Sequence, residues 1–501
     1  MWAGVTFETR PTADAAAPER ADGVAFVGFV ALRLDAAGLA PEPVRAVWRR
    51  LGWVEAATDL PVLVTAPGDL DAWLDGWVTS SVGLRWEGYL LGAVRDFFRQ
   101  GGRRCWVVPA GPPVEPPSGV VAVTAALDAR GPGGFGGAEA TPADRATWRG
   151  LARLLDLPEV ALVALPDLPA TVGAQPSSAP VVPAEPVPVQ QFVECATPPP
   201  APPDATVHRI GPPRLAGAQW DQWRDAVAAA VRWLVAHRPD VQLVAALPLG
   251  EVGSREEGDP LPALLDGGQL APLADGGVAT AWLQLAWPWA RVDTSGDRLG
   301  GLAPPDGLVA GLLARNALLR GTFRSAGGLA PEGVQGLEPT ASRRALWQPQ
   351  PVAGGAGEAA LLERLTVLGR APQGLRLLSD CTTATDPAWR QGGVARLVGV
   401  VRREAQRAGE GTVFAANGAN TWRAVRRSLA GALTALQRAG GLHPVDGFEV
   451  RCGPDTMTQQ DLDAGRLVAT VLFRPVQAIE HIAVVLSLLD GGADVTVRGA
   501  A

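Results

Sequence analysis

The side chains able to do chemistry are scattered rather than grouped. Four cysteines, Cys105, Cys195, Cys381 and Cys452, include no CxxC pair, which argues against a zinc site and against a disulfide framework. Four histidines, His208, His237, His443 and His481, form no HxxxH pair. Paired carboxylates occur twice. Glu256-Glu257 sits in a polar loop, and Asp461/Asp463 sits where Thr458 and Asp461 have capping-box spacing. Gly131 to Gly137 has the composition of a phosphate loop, but no strand precedes it and no helix start follows. There is no GxSxG elbow and no HExxH. There is also no lysine, so a lysine-dependent phosphate loop or Schiff base is excluded. The residues therefore predict no catalytic centre, no metal and no cofactor.

One charge cluster stands apart. Arg423, Arg426 and Arg427 lie at i, i+3 and i+4, the spacing of one helical face. With Arg438 they are the only charges from Gly411 through Gly441. A solvated face mixes signs, so one-sign arginine predicts an acidic partner surface. The helix that must carry these residues runs from Thr421 to Ala439. Trp422, Val425, Leu429, Leu433 and Leu436 form its apolar stripe. Asn420 or Thr421 is its expected cap, and Gly440-Gly441 its stop. A strand is expected before it, at Thr412 to Ala415. Three extended segments follow, at 447–452, 466–473 and 478–489. The unit is large enough to bury its own core.

Upstream, the chain alternates between short apolar strands and helices. Strands are expected at 24–30, 60–64, 104–108, 160–165 and 241–247, and helices at 83–100, 142–157, 220–236 and from 304 to about 321. That is an α/β rhythm. Residues 365–380 read as one or two strands and 393–408 as a helix. The Pro-rich stretch 166–213 reads as a surface excursion. Trp2 to Arg10 reads as a lone extended arm, with Val5 and Phe7 alternating with Thr6 and Glu8. A lone strand needs a partner elsewhere.

The chain has 501 residues, long for a single core. Its net charge of −7 does not suggest a nucleic-acid partner. No apolar run is long enough to span a bilayer, and the N-terminus lacks a signal-peptide pattern, so synthesis in the cytoplasm and no membrane contact are expected.

Four stretches, in order, resemble the contractile tail sheath proteins of phages, R-type bacteriocins and extracellular contractile injection systems. Ala3-Gly4-Val5-Thr6-Phe7-Glu8 resembles the family's N-terminal arm. Leu91 to Val108 resembles its helix, double glycine and strand. Trp287-Pro288-Trp289 followed by Pro304-Pro305-Asp306-Gly307-Leu308-Val309-Ala310-Gly311 resembles a third motif. Thr421-Trp422, Arg426-Arg427-Ser428, Val450-Arg451-Cys452, Thr456 to Gln459 and Gly465-Arg466-Leu467 resemble its C-terminal domain. The resemblance implies an α/β (α+β mixed) multidomain fold. A C-terminal α/β domain would be completed by N- and C-terminal strands exchanged between subunits.

The implied layout is an exchange arm and linker over 1–20 and an outer body over 21–350. A tube-facing domain over 351–490 and a flexible tail over 491–501 follow. The implied function is a structural subunit that polymerises helically around an inner tube and contracts to drive it through a target envelope. Its partners would be other copies of itself, the inner tube protein, and baseplate and cap proteins. Arg423, Arg426 and Arg427 would face the tube. Val5, Phe7 and Glu8, with Ile482, Val484 and Leu486, would form the strand exchange. Two other readings stay open at this level: a non-contracting paralogue acting as cap, terminator or baseplate adaptor, and an α/β hydrolytic enzyme.

Overall fold

The computed structural model describes residues 21–53, 59–79, 85–113, 145, 148–173, 178–181, 207–250, 279–292, 301–340, 346–351, 358–384, 386–412, 415–476, 482–489 and 492–499. The arm residues Val5, Phe7 and Glu8 lie outside these, as do Glu256-Glu257 and the glycine loop 131–137.

An eight-stranded sheet organises the body. Its strands are β1 (Val24–Phe29), β2 (Val62–Val64), β3 (Cys105–Gly111), β4 (Leu162–Ala164), β5 (Gln242–Ala246), β6 (Leu283–Trp287), β7 (Thr366–Ala371) and β8 (Gly374–Leu377). In space they run β8-β7-β6-β5-β4-β1-β3-β2. The six central strands are parallel, and β2 and β8 are antiparallel edges. Central parallel strands are covered on both faces, so they read as continuous apolar runs. Val24-Ala25-Phe26-Val27 is buried throughout.

Helices α1 (Tyr89–Arg99), α2 (Ala218–His237) and α3 (Asp306–Leu319) cover the sheet. α3 meets α1 backbone to backbone. A Cβ at Gly307 would come within 2.4 Å of the Ala93 carbonyl oxygen, and one at Gly311 within 2.6 Å of that of Phe97. Glycine is required there for the close approach rather than for a turn.

The second unit begins after β8. Helices α4 (Gly392–Glu410) and α5 (Ala419–Arg438) pack on a sheet of β9 (Phe448–Cys452), β10 (Leu467–Phe473), β11 (Ile482–Leu489) and β12 (Gly492–Gly499). All three pairings in this sheet are antiparallel, in the order β9-β10-β11-β12. Its core contains Val425, Leu429, Leu433, Leu436, Leu467, Ala469, Val471 and Phe473. Among the described residues no helix is long and apolar enough to cross a membrane.

Several expectations change. The boundary expected at residue 351 falls after residue 377, because β7 joins the body sheet beside β6 and β8 hairpins back on it. The expected strand at 412–415 has Thr412 in a turn, with residues 413 and 414 outside the description. Residues 150–156 form a 3-10 helix in place of the longer helix expected over 142–157. The stretch from Pro166 is not all surface excursion, since Leu168–Val172 is a buried helix. The tail expected to be flexible contains β12. Its glycines and alanines hide the alternation Asp494-Val495-Thr496-Val497-Arg498, which is a strand pattern.

Candidate functional site

The arginine-bearing helix α5 forms for local reasons. Gly418 is its N-cap, two residues before Asn420 and three before Thr421, the expected caps. The Trp422 indole donates to Asn417 Oδ1 at 2.7 Å, and the Thr421 hydroxyl donates to the Ala416 carbonyl at 2.7 Å, tying the first turn to the loop before it. Gly440, at φ 82°, ends the helix, and the Gly441 N–H reaches back to the Leu436 carbonyl. The stripe Val425, Leu429, Leu433 and Leu436 is buried as its spacing predicts, and Trp422 is half-buried beside it.

Arg423, Arg426, Arg427 and Arg438 are all exposed. Arg423 contacts only its own first turn, through Nε to the Ala419 carbonyl at 3.1 Å and a bond to Asn420 Oδ1. Arg426 stands near enough to the Cys452 thiol to act on it electrostatically. Among the described residues, none of the four arginines forms an ion pair with a carboxylate. Two of the acids in this domain are held by other arginines. Glu449 holds Arg451 at 2.6 Å. Asp461 holds Arg466 at 2.7 Å and closes the capping box with Thr458, as its spacing predicts. Those bonds, led by the Thr458 hydroxyl, hold the Asp461 carboxyl down to about 2. Asp463 accepts from Gln459. The pair Asp461/Asp463 is therefore structural.

The remaining titratable groups give no catalytic grouping among the described residues, and no cluster of three or more His, Cys, Asp or Glu is disposed to hold a metal. Burial raises the thiol of Cys105, pushes that of Cys381 up to about 12 and that of Cys452 up to about 11, so all three stay protonated. Two carboxyls in the body are perturbed. Asp167 follows β4 and is fully enclosed. Its Oδ1 accepts the N–H groups of Tyr89 (2.9 Å) and Leu90 (3.0 Å), and its Oδ2 accepts that of Phe29 (2.8 Å). Burial pushes it up to about 6 against the pull of those bonds. Asp306 is pushed to about 7, mainly by burial, with the negative charges of Asp167 and Asp96 adding to the rise. Asp167 follows β4 beside β1, where the chain passes from β3 on one side of β1 to β4 on the other, the switch point at which open α/β sheets bind ligands, and it fills the N-terminus of α1.

Residues 384–488 match the family described as phage tail sheath C-terminal domain. This span holds α4, α5, β9, β10 and nearly all of β11.

The C-terminal unit is a phage tail sheath C-terminal domain.

Over its whole length the fold is similar to that of chains from contractile sheaths and baseplates. A chain of the anti-feeding prophage (AFP) baseplate in the contracted state aligns at TM-score 0.58 and 17% identity, covering 96% of this chain and 95% of that one. The contracted AFP helical sheath aligns at TM-score 0.52 and 18% identity, covering 95% and 96%. The contracted sheath complex of PVC, an extracellular contractile injection system, aligns at TM-score 0.50 and 15% identity, covering 96% and 95%. No curated protein sequence matches the chain significantly.

Residues that sequence spacing missed join the two units. Asp380, just after β8, forms a bidentate pair with Arg396 of α4 at 2.6 and 3.0 Å. Gln284 of β6 and the Ala326 N–H also donate to Asp380. Both members of the pair are buried, and Arg396 holds the Asp380 carboxyl below its ordinary value against the cost of burial. Asp240, just before β5, takes Arg238 bidentately at 2.9 and 3.0 Å, and Arg403 of α4 donates to both its carbonyl and its carboxylate. Beside this second cluster is a cavity of about 500 Å³, lined by His237, Arg238, Arg402 and Arg407 among others.

The strand expected to be open for exchange is an interior strand of this chain. Ile482 pairs with Phe473 on one side and Gly499 on the other. Val484 pairs with Val471 and Val497, and Leu486 with Ala469 and Val495. The sequence reading had no fourth strand to place beside it.

Proposed function

We propose that this chain is the repeating structural subunit of a contractile sheath, synthesised and assembled in the cytoplasm and then carried as part of a tail-like particle. It polymerises helically with copies of itself around an inner tube. A change in packing between its bodies drives the tube through a target envelope, with baseplate and cap proteins at the two ends. The body and the C-terminal domain travel as one piece, because two buried arginine–aspartate clusters join them.

The observation that carries this reading is α5. A helix of a sheath C-terminal domain offers exposed arginines with no carboxylate partner of their own. An acidic surface on the tube is the complement, and Arg423, Arg426 and Arg427 are its contacts. Burial of further surface between copies supplies the free energy of contraction, as a two-state change of an assembly.

Electron microscopy of the purified protein with its tube tests the reading. Tubes are expected, and single particles under all conditions would sink it. Deleting Met1 to Arg10 should abolish long sheaths while leaving a folded monomer. Normal polymerisation of that truncation would remove the strand-exchange element from the proposal.

A further inference from the structure

The C-terminal sheet is closed beside β11 without help from a second chain. β12 pairs with all eight residues of β11, from Ile482↔Gly499 to Leu489↔Gly492. Two residues separate the strands. They are Asp490-Gly491, a dipeptide favoured in the tightest hairpin connections. So short a link costs little closure entropy, and it keeps β12 at high effective concentration for the edge of β11. α4 lies along both strands and holds β12 from one face as well.

The sequence of β12 repeats the N-terminal segment. Ala3-Gly4-Val5-Thr6-Phe7-Glu8 and Ala493-Asp494-Val495-Thr496-Val497-Arg498 share alanine, valine and threonine in register. The next position is apolar in both, and the last carries opposite charge. A strand slot is specified by this two-residue alternation, so the two segments suit the same slot.

We propose that β12 is a stand-in, supplied by the chain itself, for the N-terminal strand of a neighbouring copy. In the unassembled subunit it occupies the edge of β11 that residues 3–8 of a second copy would take. Pairing between copies at that edge begins only when β12 is displaced. The device covers the edge of β11, leaving β12 as the outer strand of the described sheet, and it makes the N- and C-terminal strands competitors. It rests on the reading that residues 1–10 pair with the C-terminal domain of another copy.

A fluorescent peptide of residues 2–12, titrated against the full-length protein, tests the competition without requiring any polymer. In a Val495→Pro/Val497→Pro variant, which weakens the β12 ladder, the peptide should bind about tenfold tighter than to the unmodified chain, or more. In a Ser487→Cys/Asp494→Cys variant, whose two positions face each other in register, oxidation should suppress binding and reduction should restore it. Should the proline variant fail to fold, the oxidised and reduced forms of the second variant still decide. Equal affinity across all forms, including no binding to any, would overturn the stand-in. Failure of the unmodified chain to make sheaths around its tube would instead count against the sheath reading, which the peptide titration does not address.

Discussion

Helices α4 and α5 are neighbours in one domain, 19 and 20 residues long, and both are rich in arginine. Their arginines meet opposite fates. Arg403 of α4 is buried on Asp240 of the body, Arg396 on Asp380 in the connection that follows β8, and Arg402 is buried against the Pro239 carbonyl and the face of Trp282. Those of α5 stand in solvent and, among the described residues, form no ion pair with a carboxylate. A buried guanidinium must be compensated at once, because desolvation is costly. An exposed one defers that cost until a partner arrives. The contrast separates arginine that holds the molecule together from arginine offered outward.

That contrast fails if the two sets respond alike to mutation. Arg396→Ala strands Asp380, fully buried, without its counter-charge, and should cost about 3–5 kcal/mol in chemical denaturation. A loss under about 1 kcal/mol would mean that the α4 cluster is no more structural than the α5 face.

Acid sharpens the comparison. The carboxyls of Asp240 and Asp380 are both held low by their arginines, so their stabilisation is present above the ordinary carboxylate range and is lost as pH falls through their folded values. Asp306 works in the reverse sense. Its carboxyl is raised to about 7, so the folded chain keeps a proton that the unfolded chain releases near 4. Its contribution is complete below that point and fades as pH rises through 7. Thermal scans should therefore show stability falling from about pH 4 to 7, with Asp167, raised to about 6, sharing in the fall, and Asp306→Asn should make that limb shallower, most of all between about pH 6 and 7, while leaving the acid limb intact. An unchanged limb in the variant would discount Asp306.

Smaller effects are expected on the far side of the C-terminal domain. Thr458→Ala removes one half of an exposed capping box and should cost about 1 kcal/mol. Arg423→Glu with Arg427→Glu should change stability by less than about 0.5 kcal/mol, yet weaken assembly on the tube more than association between copies. Equal loss of both, or loss of neither, would remove the tube-facing role.

The parts of this molecule set by local periodicity were legible in the sequence. The stripe of α5 repeats at three and four residues, and Thr458 and Asp461 are three apart, so neither needs a distant partner to be recognised. The clusters on α4 could not be read this way. Arg403 meets an aspartate 163 residues away, and no spacing rule spans that gap. The place of the β7–β8 hairpin in the body sheet is not legible from spacing for the same reason. Its partner β6 is about eighty residues upstream, and parallel pairing leaves no turn signal between the two. Asp167 was hidden in a proline-rich stretch whose composition outweighed one carboxylate. β12 was hidden by glycine and alanine, although its valines alternate.

Asp167 also bears on how such a subunit is powered. In many α/β proteins the helix N-terminus at the sheet's switch point receives a phosphate, and hydrolysis there resets the shape with every turnover. Here that seat is taken by a carboxylate of the chain itself, bonded to Tyr89, Leu90 and Phe29 and sealed from water. An arriving phosphate would meet a group that is already anionic above about pH 6. A body built this way has no refuelling port at that position. Work done through this body is not drawn from a phosphate seated there.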